Sequence, residues 1–166
     1  MEKIELAVAL IRSTATGSPR WLIKYGDKAS KPSLIIGQRL QDESFRETVV
    51  RDVSWELNLD RSRDFLVANM AQINLEFVDR LPGRSGKSHV RAAFYNVEIY
   101  RAQVLEQLHK DRSCRWIDSA AICDGVTREG QILNPIVPYL INRSSVIQHW
   151  ESLCLLYTSP SPRDRG

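Results

Sequence analysis

Residues Gly37 to Leu59 read GQRLQDESFRETVVRDVSWELNL. Five residues separate Gly37 from Glu43, and seven separate Glu43 from Arg51. Phe45, Val49, Val53 and Leu57 recur every four residues, and Val50 widens the apolar stripe, so Glu43 to Leu57 is expected to form an amphipathic helix with one face on a core. Asp42 is the expected N-cap, and acids in the first turn suit the helix dipole. Asn58 is placed to take a left-handed conformation just past the helix. Carboxylates four residues apart on a helix lie on one face, about one turn from each other, and Asp52 and Glu56 have that separation. Trp55, three residues after Asp52 and beside Glu56, is expected to point towards the same region.

The spacing resembles the Nudix box, whose pattern is Gly, five residues, Glu, seven residues, then Arg-Glu-aliphatic-any-Glu-Glu-any-Gly-aliphatic. Gly37, Glu43, Arg51, Val53, Glu56 and Leu59 match it. Asp52 stands where the first Glu belongs, Trp55 where the first Glu of the later pair belongs, and Asn58 where the second Gly belongs. The box is therefore degenerate. The resemblance implies an α/β/α sandwich with a mixed β-sheet. It also implies a protein that binds a nucleoside diphosphate linked to another moiety and hydrolyses its pyrophosphate bond with a metal-activated water.

On this resemblance Asp52 and Glu56 are the candidate catalytic residues and the ligands of Mg²⁺ or Mn²⁺. Mg²⁺ takes oxygen ligands and shares substrate phosphates. Gly37 would let the loop backbone approach phosphates or take a positive φ. Arg51 would hold the loop to the helix as an ion-pair residue, with Glu43 supporting it. The general base is unassigned, and Glu76, Asp79 and Glu129 are candidates without a place. Trp55 has three readings: packing against a neighbouring loop, stacking on a base as part of the substrate site, or plugging the metal position. Loss of a carboxylate there keeps a second function open, a non-catalytic nucleotide-binding or sensor module.

Residues 154 to 164 read CLLYTSPSPRD, which looks like the in-frame translation of a transposase adapter used to prepare sequencing libraries. The expected division is a Nudix-like domain over residues 1–153 and an adapter-derived tail over 154–166, set aside from fold reasoning. Charged residues at 26% and hydrophobic ones at 43% fit a chain that buries a core. The formal net charge is +3, falling to +2 once Arg163, Asp164 and Arg165 are set aside, too weak to argue for nucleic acid. Cys114 and Cys123 form no CxxC, and His89, His109 and His149 are scattered, so neither a zinc site nor a disulfide framework is supported. The opening MEKIEL has no signal-peptide pattern, and no run approaches ~18 apolar residues. A cytoplasmic protein with a small nucleotide-type partner and no membrane contact is the expectation.

Around the helix, Ile4 to Arg12 and Trp21 to Tyr25 read as strands, with Thr14 to Pro19 as a turn and Gly26 to Pro32 as a loop. Phe65 to Val78 reads as one or two strands and His89 to Tyr100 as a long one. Arg101 to Lys110 reads as a short helix with Val104, Leu105 and Leu108 on its apolar side. Cys114 to Ile117 reads as a strand entering a helical turn, and Asn134 to Trp150 as a final helical region. Strands, a helix, more strands and then helices make a mixed sheet with helices on two faces. Gly83 to Ser88 (GRSGKS) is not a P-loop: two residues, not four, separate Gly83 from the Gly-Lys pair, and a strand follows instead of a helix. Its basic neighbourhood of Arg80, Arg84, Lys87, His89 and Arg91 reads as a solvated turn or a clamp for a phosphate backbone.

Overall fold

A computed structural model describes residues 1–13, 17–26 and 30–149. The proposed tail and Trp150 lie outside the described residues, as do Thr14 to Thr16 of the expected turn and Asp27 to Ala29 of the expected loop. Strands β1 (Glu2–Ser13), β2 (Arg20–Lys24), β3 (Ile35–Gln38), β4 (Leu66–Val67), β5 (Ile73–Asp79), β6 (Ser88–Glu98) and β7 (Cys114–Asp118) form one seven-stranded sheet. Helices α1 (Phe45–Leu57), α2 (Ala102–Lys110), α3 (Ser119–Asp124) and α4 (Ile136–Ser144) cover it.

β1 organises the sheet. It pairs in parallel with β6 from Glu2↔Ser88 to Ile11↔Val97. Along its other edge it pairs antiparallel with β3 through Leu6 to Ala9 and with β2 through Arg12 and Ser13. β6 carries β5 and β4 antiparallel on its far side, so the sheet is mixed. Successive strand side chains point to opposite faces, and the apolar run IELAVALIR supplies both. Val8 and Leu10 pack with Ile122, Val137, Leu140 and Ile141 of α3 and α4. Ala7, Ala9 and Ile11 pack with Val49, Val53 and Leu57 of α1 and with Val104 and Leu108 of α2. A strand buried on both faces needs a continuous apolar run, and the sandwich expected from the sequence is what this run builds.

The start of α1 differs from the expectation. Its N-cap is Ser44, not Asp42, and the helix begins at Phe45. The Ser44 hydroxyl accepts from the Glu47 amide at 3.0 Å while Glu47 Oε1 accepts from the Ser44 amide at 2.8 Å. This is a capping box, the reciprocal arrangement that Ser-x-x-Glu encodes. Glu43 precedes this cap and so stays outside the helix, its carboxylate joining the Leu40 amide to Thr48 and Arg51 of α1. Asn58 ends the helix at φ 53° and ψ 51°, the left-handed conformation that Asn tolerates. In α2, Leu105 is only partly buried, beside the buried Val104 and Leu108. The final helix is shorter than expected and stops at Ser144, with Ser145 left-handed at φ 58°. Among the described residues no helix is long and apolar enough to cross a membrane.

Ser44→Ala removes an acceptor for the Glu47 amide and loosens the loop that precedes it. We expect a loss of about 1 kcal/mol in a urea denaturation series, with Ser44→Asp close to the parent.

Candidate functional site

Arg51 ties the loop to the helix. Its guanidinium pairs with Glu43, donates to the Gln38 carbonyl at 3.2 Å and lies 3.4 Å from Asp52 Oδ1. Glu43 Oε1 also accepts from the Leu40 amide at 3.1 Å and the Thr48 hydroxyl at 2.9 Å. Burial works against the charge on Glu43, but the Leu40 amide, Thr48 and Arg51 outweigh it and hold the carboxyl below its ordinary value. The turn between β3 and α1 is thus closed on one carboxylate.

Gly37 has a steric role. It does not adopt a positive φ, so that reading of the glycine is corrected. A Cβ at Gly37 would overlap the Asp52 carboxylate, with Cγ only 2.5 Å away. β3 and α1 approach so closely here that the Asp52 side chain occupies the space a larger residue would need. Burial pushes the Asp52 carboxyl up; Arg51 opposes the shift, while Glu43 and Glu56 add to it. A carboxylate desolvated beside another acid in a cleft is a pattern of functional sites.

Asp52 and Glu56 line one cleft of about 540 Å³, together with Gly37, Gln38 and Arg51. Ile4, Leu6, Leu34, Ile36, Leu81 and Ile136 make its apolar wall. Lys24, Lys31 and Arg84 bring positive charge to the cleft. None of these three was singled out as a site residue by the box, because they come from β2, the following loop and the turn before β6. The basic turn gave one partial signal: its Arg84 lines the cleft, paired with Glu2 at 2.8 Å.

Other candidates lie elsewhere. Glu76 meets His89 Nε2 at 2.6 Å, Asp79 accepts from the Tyr139 hydroxyl at 2.8 Å and from Arg143 at 3.1 Å, and Glu129 pairs with Arg115 at 3.2 Å. None of them lines the cleft. Trp55 departs from the packing and plugging readings. It is 82% exposed and borders a neighbouring hollow with Arg51, Ser54, Asn58, Leu59 and Arg61, instead of the Asp52–Glu56 cleft.

Among the described residues no group of three His, Cys, Asp or Glu side chains converges as a metal site. Two carboxylates nevertheless fit the way Mg²⁺ is commonly held, by one or two carboxylates plus waters and substrate phosphates. Asp52 and Glu56 are the residues of this cleft that would hold such an ion.

No protein-family model matches the sequence, and no curated protein matches it. Solved structures do. A C. elegans Ap4A hydrolase superposes with a TM-score of 0.56 at 9% identity, covering 93% of this chain and 99% of that one. The NUDIX domain of Shewanella oneidensis NrtR, solved with ADP ribose, gives 0.52 at 14% identity over 86% of each chain. A mutT/nudix family protein from Listeria innocua gives 0.53 at 15% identity, covering 86% and 92%. At such identities the likeness speaks to the fold, and the fold is the Nudix α/β/α sandwich.

Gly37→Ala forces the Asp52 carboxylate out of its place. We expect a loss of about 1–3 kcal/mol, the usual cost of overpacking. Adding Asp52→Gly should recover most of it, and thermal unfolding of the two single variants and the double variant measures the coupling.

Asp52 also sets a pH dependence. Its folded-state pKa lies above the unfolded value, so its ionisation opposes folding, and stability falls as pH rises through that interval. Asp52→Asn should match or exceed the parent melting temperature at pH 7, by about 1–3 °C. The advantage should fade as pH falls below the unfolded pKa. A variant that melts well below the parent at pH 7 would contradict this.

Proposed function

We propose that the cleft binds a nucleoside diphosphate linked to another moiety, and that its metal-dependent hydrolysis is weakened by the missing third carboxylate. The observation that carries this reading is the joint placement of Asp52, Glu56 and Arg51 on one wall of a cleft that also holds Lys24, Lys31 and Arg84. A diphosphate offers dense negative charge, which Lys and Arg meet with charge-assisted hydrogen bonds. The two acids beside those cations make sense if a divalent ion comes between them and the phosphates. When bound there, Mg²⁺ would supply charge neutralisation and an activated water. The protein's own contribution is to hold Asp52 against Gly37 and to keep the loop closed through Arg51.

The neighbours support the ligand class. One is named for hydrolysis of Ap4A and another was solved with ADP ribose. The NrtR chain was also solved with a 27mer DNA, but this chain covers only 58% of it. We retain a small nucleotide as the proposed partner of this chain. The non-catalytic sensor reading has one specific observation in its favour: Trp55 occupies a box position where the pattern has a carboxylate, and among the described residues no third ligand replaces it. A substrate-shared ion needs no such ligand for binding, so both readings share the same nucleotide site.

The test is calorimetric titration with ADP-ribose and other nucleoside diphosphate compounds, with and without Mg²⁺, alongside a hydrolysis assay. We expect Mg²⁺ to strengthen binding, and Asp52→Asn with Glu56→Gln to abolish that Mg²⁺-dependent part. Trp55 borders the adjoining hollow, but the slimmer side chain of Trp55→Glu is free to turn back towards Glu56 and Asp52 on the same helix. It should then raise kcat at saturating substrate by about tenfold by giving the ion another oxygen. If none of the compounds binds under either condition, the proposal fails. Binding without any turnover in the parent or in Trp55→Glu would leave the sensor reading in place.

A further inference from the structure

The Asp52–Glu56 cleft contains no aromatic side chain among its described lining residues. Its apolar wall is aliphatic and its polar groups are mostly charged. A nucleobase gains most from a π face, which every base can use regardless of sequence. The aromatic ring that borders the adjoining hollow is Trp55. At 82% exposure it is unusual, since tryptophan is highly buried on average. That hollow, about 430 Å³, is also lined by Ser54, Asn58, Leu59 and Arg61. Arg51 lines both the hollow and the cleft, so the two are neighbours with this residue between them.

We propose that the hollow around Trp55 is the nucleobase subsite: the base stacks on the exposed indole beside Arg61, and the diphosphate crosses Arg51 to reach Asp52 and Glu56. This inference rests on the proposed nucleotide reading and adds a direction to it. The linked moiety then lies in the cleft, against the aliphatic wall and the cations Lys24, Lys31 and Arg84. The chemistry of the hollow suits a base better than a phosphate. It lies at the C-terminal end of α1, where the helix dipole disfavours anions. Arg61 offers a planar guanidinium that stacks on aromatic faces and can also donate hydrogen bonds. Ser54 is not a free contact, because its hydroxyl donates to the Leu59 carbonyl at 2.7 Å. The Asn58 side chain, exposed at the left-handed cap, offers an amide for a base edge. On this arrangement the tryptophan in the box exchanges a metal ligand for base recognition.

The experiment compares ADP with inorganic pyrophosphate, both with Mg²⁺, against the full chain and the variants Trp55→Ala and Trp55→Phe. Because the indole is exposed, both variants should melt within about 2 °C of the parent. We expect ADP affinity to fall about tenfold in Trp55→Ala and to stay within about threefold in Trp55→Phe, which keeps a ring. Pyrophosphate affinity should stay within about twofold in both, since it makes no stacking contact. ADP should also quench the parent's exposed tryptophan emission while pyrophosphate does not. Equal ADP binding by parent and Trp55→Ala would overturn the subsite and leave the nucleotide reading intact. An equal loss of ADP and pyrophosphate in Trp55→Ala would also overturn it. A parent that binds neither probe would instead remove the nucleotide reading on which the subsite stands.

Discussion

The site depends on the Arg51 guanidinium. It is the only group that touches the Glu43 carboxylate, the Gln38 carbonyl and Asp52 among the described residues. Those contacts come from the loop, from the end of β3 and from α1 itself. Closing them together fixes the distance between β3 and α1, and at that distance Asp52 fits only against a residue without a Cβ. Arg51 and Gly37 are therefore parts of one constraint. The first draws the elements together through charge, and the second lets them meet. A partly buried ion pair of this kind is expensive to break because the surviving partner loses its compensation. The hydrogen bonds from Leu40 and Thr48 share the cost of burying Glu43.

A second charged group, centred on Glu5 of β1, steadies the same loop. Glu5 accepts from Arg39 at 2.6 Å and from Arg91 at 2.9 Å. The Arg39 contact leads in holding its carboxyl below the ordinary range. Both guanidiniums lie over the Phe45 ring, at 5.6 and 5.2 Å from its centroid, within reach of a cation–π attraction. The first residue of α1 is thus held by cations that the central strands β1 and β6 position.

The fold was legible in the sequence because its strongest signals are local. The run IELAVALIR declares a strand buried on two faces, and the four-residue recurrence of Phe45, Val49, Val53 and Leu57 declares the helix that covers one of them. The site was legible only along α1, where a fixed helical pitch turns spacing into geometry. It failed where residues meet through tertiary contact. Lys24, Lys31 and Arg84 reach the cleft from separate loops and strands, and no spacing in the chain encodes their convergence. Glu76, Asp79 and Glu129 had no place in the sequence reading, and each is bound to a neighbouring imidazole, guanidinium or hydroxyl. The misplaced cap at Asp42 had a different cause: the Ser44–Glu47 capping box was present in the letters and competed with an acid two residues earlier. Trp55 escaped because helical phase gives the side of a helix, and a large side chain three residues from Asp52 has room to turn into the adjoining hollow.

The parallel pairing of β1 with β6 has a consequence for how the chain acquires its structure. β1 is made before its parallel partner, whose paired positions lie more than eighty residues later, as in Ile4↔Val90. Contacts of such separation form slowly, because the entropy of closing the intervening segment is spent before they contribute. The antiparallel partners β2 and β3 are nearer, and both lie along the opposite edge, through Arg12 and Ser13 and through Leu6 to Ala9. During synthesis the remaining edge of the most apolar segment stays unpaired until β6 has emerged. An unpaired apolar edge is a template for association with other chains. The arrangement that makes β1 the centre of the finished sheet thus makes it the segment most exposed to aggregation before the sheet exists.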